Sequence, residues 1–403
     1  MHLEQKFGSW LLGIGFFVWL TNYFWVNIGL SALPRFVDIV FVAAAVIMFL
    51  FDKRYRAIVI PITMLIIYTI ILTIIAYMLD KIHPYKNVIY IKTLIYITIA
   101  PLAGSTVAYV IVKERYAKHI LAAIAASFKA FVVGFIAIAL SAGWRPGLLL
   151  LDINLANMYQ GVGRIMAAAI IVMSTTAPTV QALNILIIYM ATFVILSYRS
   201  IAAAVGALIG ISHIAINMLT SLSVNQKIKA GIIMLLTSVI IIYVYGQEIR
   251  TVYQSTINRV EQKVEGKEGR PYLMISGIQL WLSGPRQLIL GAGPMKYACA
   301  LGYCAEGEYR HPHNAIVLLL VWYGLLGVPL IYTIIYITIK ASKMLLRRSE
   351  RQITLISYLY IYYLFLSMIG GDIEQNRQFI SMLSAVWVIQ RMRIKNTNNT
   401  GSI

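Results

Sequence analysis

The stretch AIVIPITMLIIYTIILTIIAYML, residues 57–79, runs for 23 residues without a charged side chain. As a helix rising 1.5 Å per residue it is about 34 Å long, enough to cross a hydrocarbon core ~30 Å thick. It does not alternate polar with apolar as a barrel strand does, and lipid tolerates no open backbone donors or acceptors, so it reads as a membrane helix. Eleven further apolar runs lie near 8–28, 34–51, 93–112, 120–141, 162–174, 181–198, 201–219, 230–246, 313–339, 353–370 and 378–391. The run at 162–174 is short and ends in Thr175-Thr176-Ala177-Pro178.

The composition agrees with this reading. The 403 residues are 60% apolar and 12% charged, with mean hydropathy +0.78, whereas soluble globular domains carry roughly 25% charged residues. A soluble domain is excluded, as are disordered, collagen-like and disulfide-scaffold chains. The expected fold is an all-α polytopic membrane protein of about 12 transmembrane helices with one long loop that contains short interfacial helices. Residues 1–246 would hold spans one to nine, 247–312 the loop, and 313–403 the last three spans and a tail, all in one integral membrane domain.

The net charge of +19 comes from 34 Lys and Arg against 15 Asp and Glu. With both termini placed in the cytoplasm, 17 basic residues fall on the cytoplasmic side and 16 outside; Lys129 lies within the fifth run. Eight of the 16 sit in the single 66-residue segment 247–312, long enough to escape the positive-inside rule, so short segments alone set the orientation. The long loop is then external, which means periplasmic in a Gram-negative cell. Met1 to Lys6 precedes a long apolar run with no small-residue cleavage site, so the first span is expected to remain as an anchor. Cys299 and Cys304, the only cysteines, both fall in the external loop; an oxidising compartment allows them to pair, and two unpaired thiols is the open alternative.

External basic residues need a reason, since insertion does not favour them there. Arg199 sits in the turn Ser197-Tyr198-Arg199-Ser200 between two apolar runs. Arg270 precedes Pro271-Tyr272-Leu273-Met274, where proline marks the start of a helix ending by Ser283-Gly284-Pro285, too short to span and suited to the interface. A guanidinium at a helix N-terminus makes a seat for phosphate. Snorkelling toward lipid headgroups stays open as the other reading of both arginines.

The sharpest segment is Arg310-His311-Pro312-His313-Asn314, where the long loop meets the tenth run. Pro312 suggests a first helical turn, with His313 and Asn314 at the external end of a membrane helix. Two residues apart, His311 and His313 cannot share a helix face, which argues against a helical two-histidine metal site. A helix N-terminus disfavours imidazolium, so His313 reads as a candidate general base, with an interfacial capping histidine as the alternative. No Asp-x-Asp pair is present to hold a metal-bound nucleotide diphosphate, and phosphate-loop, nucleophile-elbow and zinc signatures are absent as well. The external acidic turn Gly371-Asp372-Ile373-Glu374-Gln375-Asn376-Arg377 could position His313 or bind hydroxyls; a capped turn between spans is the plainer reading.

His313-Asn314, followed by apolar residues and Tyr323-Gly324-Leu325-Leu326-Gly327, resembles the O-antigen ligase and O-antigen polymerase superfamily. Ser197-Tyr198-Arg199-Ser200-Ile201-Ala202 looks like the family's arginine turn, although Tyr198 departs from the Ser or Thr often found there. Gly269-Arg270, Ser283-Gly284-Pro285 and Leu290-Gly291-Ala292-Gly293-Pro294 look like its loop arginine and glycine-rich turn. Gly371-Asp372-Ile373-Glu374-Gln375 resembles the acidic turn of some ligases. The resemblance covers about 190–390 in the right order; ahead of it only the span pattern agrees.

The resemblance implies an inner-membrane glycosyltransferase with its active site facing the periplasm. The donor would be an undecaprenyl-diphosphate-linked O-antigen polysaccharide and the acceptor lipid A-core oligosaccharide, in lipopolysaccharide biosynthesis. No metal, nucleotide or other cofactor is required, and the partners are lipids and glycans, not nucleic acid. His313 would deprotonate the acceptor hydroxyl, with Arg199 and Arg270 binding the diphosphate. Arg310, His311, Asn314, Arg377, Glu374, Asp372 and, more weakly, Arg164 are secondary candidates. O-antigen polymerase is the near rival, and a transporter or flippase of lipid-linked glycans is the rival of another class; for the latter, Lys129 is the only clear mid-span charge.

Overall fold

In a computed structural model, the structure describes residues 2–80, 85–112, 114–141, 159–176, 182–197, 201–221, scattered positions from 223 to 254, 270–302, 311–346, 350–370 and 373–400. The described residues are helical with no strand. In chain order the helices are α1 (His2–Leu20), α2 (Asn22–Asn27), α3 (Ala32–Phe51), α4 (Lys53–Leu79), α5 (Lys86–Val112), α6 (Glu114–Ser141), α7 (Tyr159–Thr176), α8 (Ala182–Ser197) and α9 (Ile201–Ser221). They continue with α10 (Arg270–Trp281), α11 (Pro285–Leu290), α12 (Pro294–Ala300), α13 (Ala315–Tyr323), a 3-10 turn (Gly324–Gly327), α14 (Val328–Leu346), α15 (Arg351–Gly370) and α16 (Ile373–Thr400).

Among the described residues, six segments are long and apolar enough to cross a membrane: Ala32–Phe51, Lys53–Leu79, Lys86–Val112, Ala117–Ser141, Ala315–Leu346 and Arg351–Ile369. Lys6–Leu20, Gly161–Thr176 and Ala203–Ile216 are apolar but shorter. The run at 230–246 lies mostly outside the described residues. The run expected as one span over 313–339 falls almost wholly within Ala315–Leu346, inside which the helix is interrupted. Gly324, in the left-handed region at φ +59, ends α13, and four residues of 3-10 turn precede α14. Pro329, in the first turn of α14, lacks a donor that an intrahelical bond would not have used there anyway.

The chain forms two compact units. The first comprises 1–37, 113–265 and 350–362. Its centre is α7, where nearly every side chain from Val162 to Met173 is buried. Glycine permits the close packing: a β-carbon on Gly210 of α9 would lie 2.8 Å from the Ile170 side chain of α7, and one on Gly13 of α1 would lie 2.8 Å from the Ile120 carbonyl of α6. Such small-residue contacts are how membrane helices approach one another without a hydrophobic driving force. Phe17, Phe24, Phe128 and Phe131 add edge-to-face contacts between α1, α2 and α6.

The second unit comprises 38–112, 266–349 and 363–403. Here α16 packs along α5 at Gly104, where a β-carbon would collide with the Ser381 carbonyl. Ser384 on the same face of α16 donates to the Pro101 carbonyl at 3.0 Å. At one end of this unit Asp52 caps α4, accepting from the amides of Arg54 and Tyr55, and also accepts from the Tyr109 hydroxyl at 2.6 Å. At the other end α10, α11 and α12 pack on α13. That end carries the site.

Candidate functional site

The site end of the second unit is built on Asp80. Residue 79 closes α4, and Asp80 follows in extended conformation, 7% exposed. Its carboxylate accepts the amides of Met295 and Lys296, each at 2.9 Å, and the Tyr90 hydroxyl at 3.0 Å. The open amides at the start of α12 are thereby satisfied by an internal anion. Gly293 sits at φ +80, and a β-carbon there would lie 2.7 Å from either carboxylate oxygen. The glycine-rich turn also serves the far end of α13: the amides of Ala292 and Gly293 donate to the Val321 carbonyl at 2.7 and 3.1 Å. Arg286 of α11 donates to the Leu79 carbonyl at 3.0 Å, tying the same loop to α4.

On this base stands the His-Pro-His-Asn segment. Pro312 is not in the first helical turn expected for it; the helix begins at Ala315 with Asn314 as its N-cap. The Asn314 carbonyl oxygen accepts from Ile316 and Val317 at 3.0 and 3.1 Å, and its amide donates to the Met368 carbonyl of α15 at 3.2 Å. Asn314 therefore positions the segment. His313 is the one described non-glycine residue with positive φ, at 51°. Histidine is among the residues that tolerate this conformation, though at a cost. Neither histidine is helical, so the helix-face argument does not govern them: their rings lie 4.2 Å apart at a tilt of 50°. Among the described residues, no cluster of three or more His, Cys, Asp or Glu side chains could hold a metal ion.

Helix α10 is close by. Gly277 faces α13, where an added β-carbon would meet Val317 at 3.0 Å and Pro312 at 3.5 Å. Arg270 opens α10 seven residues earlier, about 10 Å along the axis; only its backbone is described. Tyr297 of α12 donates to the Leu273 carbonyl of α10 at 2.6 Å, and burial, with Tyr272 nearby, raises its phenol above the usual range. Cys299, also on α12, is disulfide-bonded; Cys304, the chain's only other cysteine, lies outside the described residues.

The remaining candidates are placed unevenly. Arg199, Arg310 and Asp372 lie outside the described residues, and for Glu374 only the backbone, in the first turn of α16, is described. Arg164 is half-buried on α7 of the first unit, and its carbonyl accepts from Tyr362 at 3.3 Å. Lys129 is half-buried on α6. Arg377 is 3% exposed, with its guanidinium 3.5 Å from Asp38 of α3 and 5.6 Å from the ring centre of Tyr96 on α5. That arrangement ties α16 to α3 and α5.

Asp38 and Asp80 are the acids that sequence reasoning missed. Asp38 carries a signal, an acid near the start of an apolar run, which in a membrane calls for a partner. Asp80 carries little, because its partners are remote in sequence. The chain matches no known family model, no curated protein and no solved structure.

Proposed function

We propose that the protein is an inner-membrane glycosyltransferase of the O-antigen ligase type, with His313 as its general base. The observation that carries the reading is the His311-Pro312-His313-Asn314 turn. A histidine is held in a left-handed conformation beside a second imidazole at the mouth of an apolar helix, and its neighbour Asn314 is fixed on both sides. In the proposed reaction the acceptor hydroxyl oxygen of lipid A-core attacks the anomeric carbon of the lipid-linked O-antigen. The bond from that carbon to the diphosphate breaks with its electron pair leaving on the diphosphate, and His313 takes the hydroxyl proton. Configuration at the sugar carbon inverts. Base assistance of this kind contributes about 10²–10⁴ in rate. Arg270 and Arg199 are the groups proposed to neutralise the leaving diphosphate, which removes the need for a metal.

The finer topology belongs to the same proposal: twelve spans, both termini cytoplasmic, and 247–312 periplasmic. Contacts in the second unit support it, because residues assigned by charge to one side meet at one end. Asp38 meets Arg377, Asp80 meets Met295, and Asn314 meets Met368. Residues assigned to the other side, Asp52 with Tyr109 and Tyr336 with Gln390, also meet each other.

Deletion of the gene tests the assignment. Loss of a ligase leaves lipid-linked polymer unattached to core, and complementation by His313→Ala fails to restore it despite normal membrane levels. Core capped by a single repeat in the deletion strain would make the protein a polymerase instead.

A further inference from the structure

The second unit has a partly open apolar cavity of about 240 Å³ between α4, α5, α13, α14 and α16. Its wall on α16 is one stripe: 376, 379, 380, 383, 384 and 387, spaced three and four apart so that they share a helix face. Matching stripes run from Pro61 to Thr69 on α4 and from Thr93 to Pro101 on α5. The cavity is therefore elongated along the helices. From Asn376 to Trp387 it follows α16 for about 16 Å, close to the roughly 15 Å depth of one leaflet of a ~30 Å hydrocarbon core. One end is polar. Asn376 is 6% exposed, lines the cavity, and its carbonyl oxygen has no hydrogen-bond partner among the described residues. A buried amide oxygen left in this state is costly and calls for a donor.

We propose that this cavity is a binding site for one acyl chain of a membrane glycerophospholipid, drawn from the leaflet at the α16 N-terminus. The chain's methyl end lies toward Trp387, and a hydroxyl or ammonium donor of the lipid's polar portion reaches Asn376. A straight chain one leaflet deep matches the cavity's length, whereas a branched and far longer polyisoprenoid overfills it. The site is independent of the transfer reaction proposed above.

The full chain in bilayer nanodiscs containing a phospholipid with a diazirine in its acyl chain provides the test. After photolysis, adducts are expected at Leu319, Ile380 and Leu383, which line the cavity, as well as at the exposed Ile335 and Ile339 of α14. Adducts on the outer faces alone overturn the proposal, and so does cavity labelling by a diazirine-bearing polyisoprenyl phosphate that phospholipid does not compete away. Leu383→Trp, which fills the cavity, should abolish cavity adducts and spare the outer ones; persistence of cavity adducts contradicts the site. If that variant does not fold, Asn376→Leu decides the polar contact, with an expected fall in cavity labelling of about fivefold, the worth of one hydrogen bond. Unchanged labelling in Asn376→Leu removes Asn376 from the site.

Discussion

The Asp80 carboxylate and the amide of Met295, separated by 215 residues, meet at 2.9 Å. This contact, with those to Lys296 and Tyr90, anchors the start of α12 to the end of α4. Asp80→Ala removes the acceptor from three donors, and a buried donor that loses its acceptor costs about 1–3 kcal/mol. The thermal midpoint of the purified protein is expected to fall sharply. Asp80→Asn, which keeps one acceptor, is expected to fall between it and the wild type.

The glycine-rich turn should respond according to what lies beside each glycine. Gly293→Ala forces a left-handed alanine against the Asp80 carboxylate, and Gly291→Ala forces one against the Trp322 carbonyl. Gly302, at φ +91, has nothing within 4 Å, so Gly302→Ala bears only the backbone cost of about 1–2 kcal/mol. Unfolding of the three variants should therefore rank Gly302→Ala as the mildest. Equal losses would show that the close approach to Asp80 and Trp322 contributes nothing.

Arg377 and Asp38 form a pair that is 3% and 14% exposed. Removing one partner of a buried ion pair costs about 3–5 kcal/mol, while replacing both with apolar residues restores much of the loss. Arg377→Met or Asp38→Leu alone should lower the thermal midpoint, and the double variant should recover toward the wild type. A double variant no better than the worse single one would contradict the internal pairing.

The backbone of His313 separates folding from chemistry. At φ +51 a glycine or asparagine is accepted readily, whereas a β-branched residue is a strained outlier. His313→Gly and His313→Asn should keep a wild-type midpoint, and His313→Val should lose about 1–3 kcal/mol. A His313→Val midpoint equal to that of His313→Asn would remove the left-handed turn from the account.

Much of the membrane architecture is legible in the chain because hydropathy is local: the run at 57–79 lies wholly within α4. The short helix after Arg270 is legible from Pro271 and Ser283-Gly284-Pro285, and it spans 12 residues as α10. The break at Gly324 is hidden, since Gly-Leu-Leu-Gly leaves the hydropathy of the run unchanged; its cause is a left-handed glycine pressed against Ile289 and Gly291. The pairing of His311 with His313 is hidden as well, because it depends on one backbone angle. Asp80 reads as the end of a span, and only the tertiary fold brings α12 to it. Arg377 looks like a free external cation until α3 places Asp38 against it.

In the proposed reaction His313 acts as the base of a metal-independent sugar transfer. The direct measurement uses purified protein in proteoliposomes with undecaprenyl-diphosphate-linked polysaccharide, lipid A-core acceptor and a chelator. Wild-type protein is expected to form the conjugate, and folded His313→Asn to form it at least about 100-fold more slowly. Undiminished transfer by His313→Asn, or no conjugate from the wild type, would contradict the account.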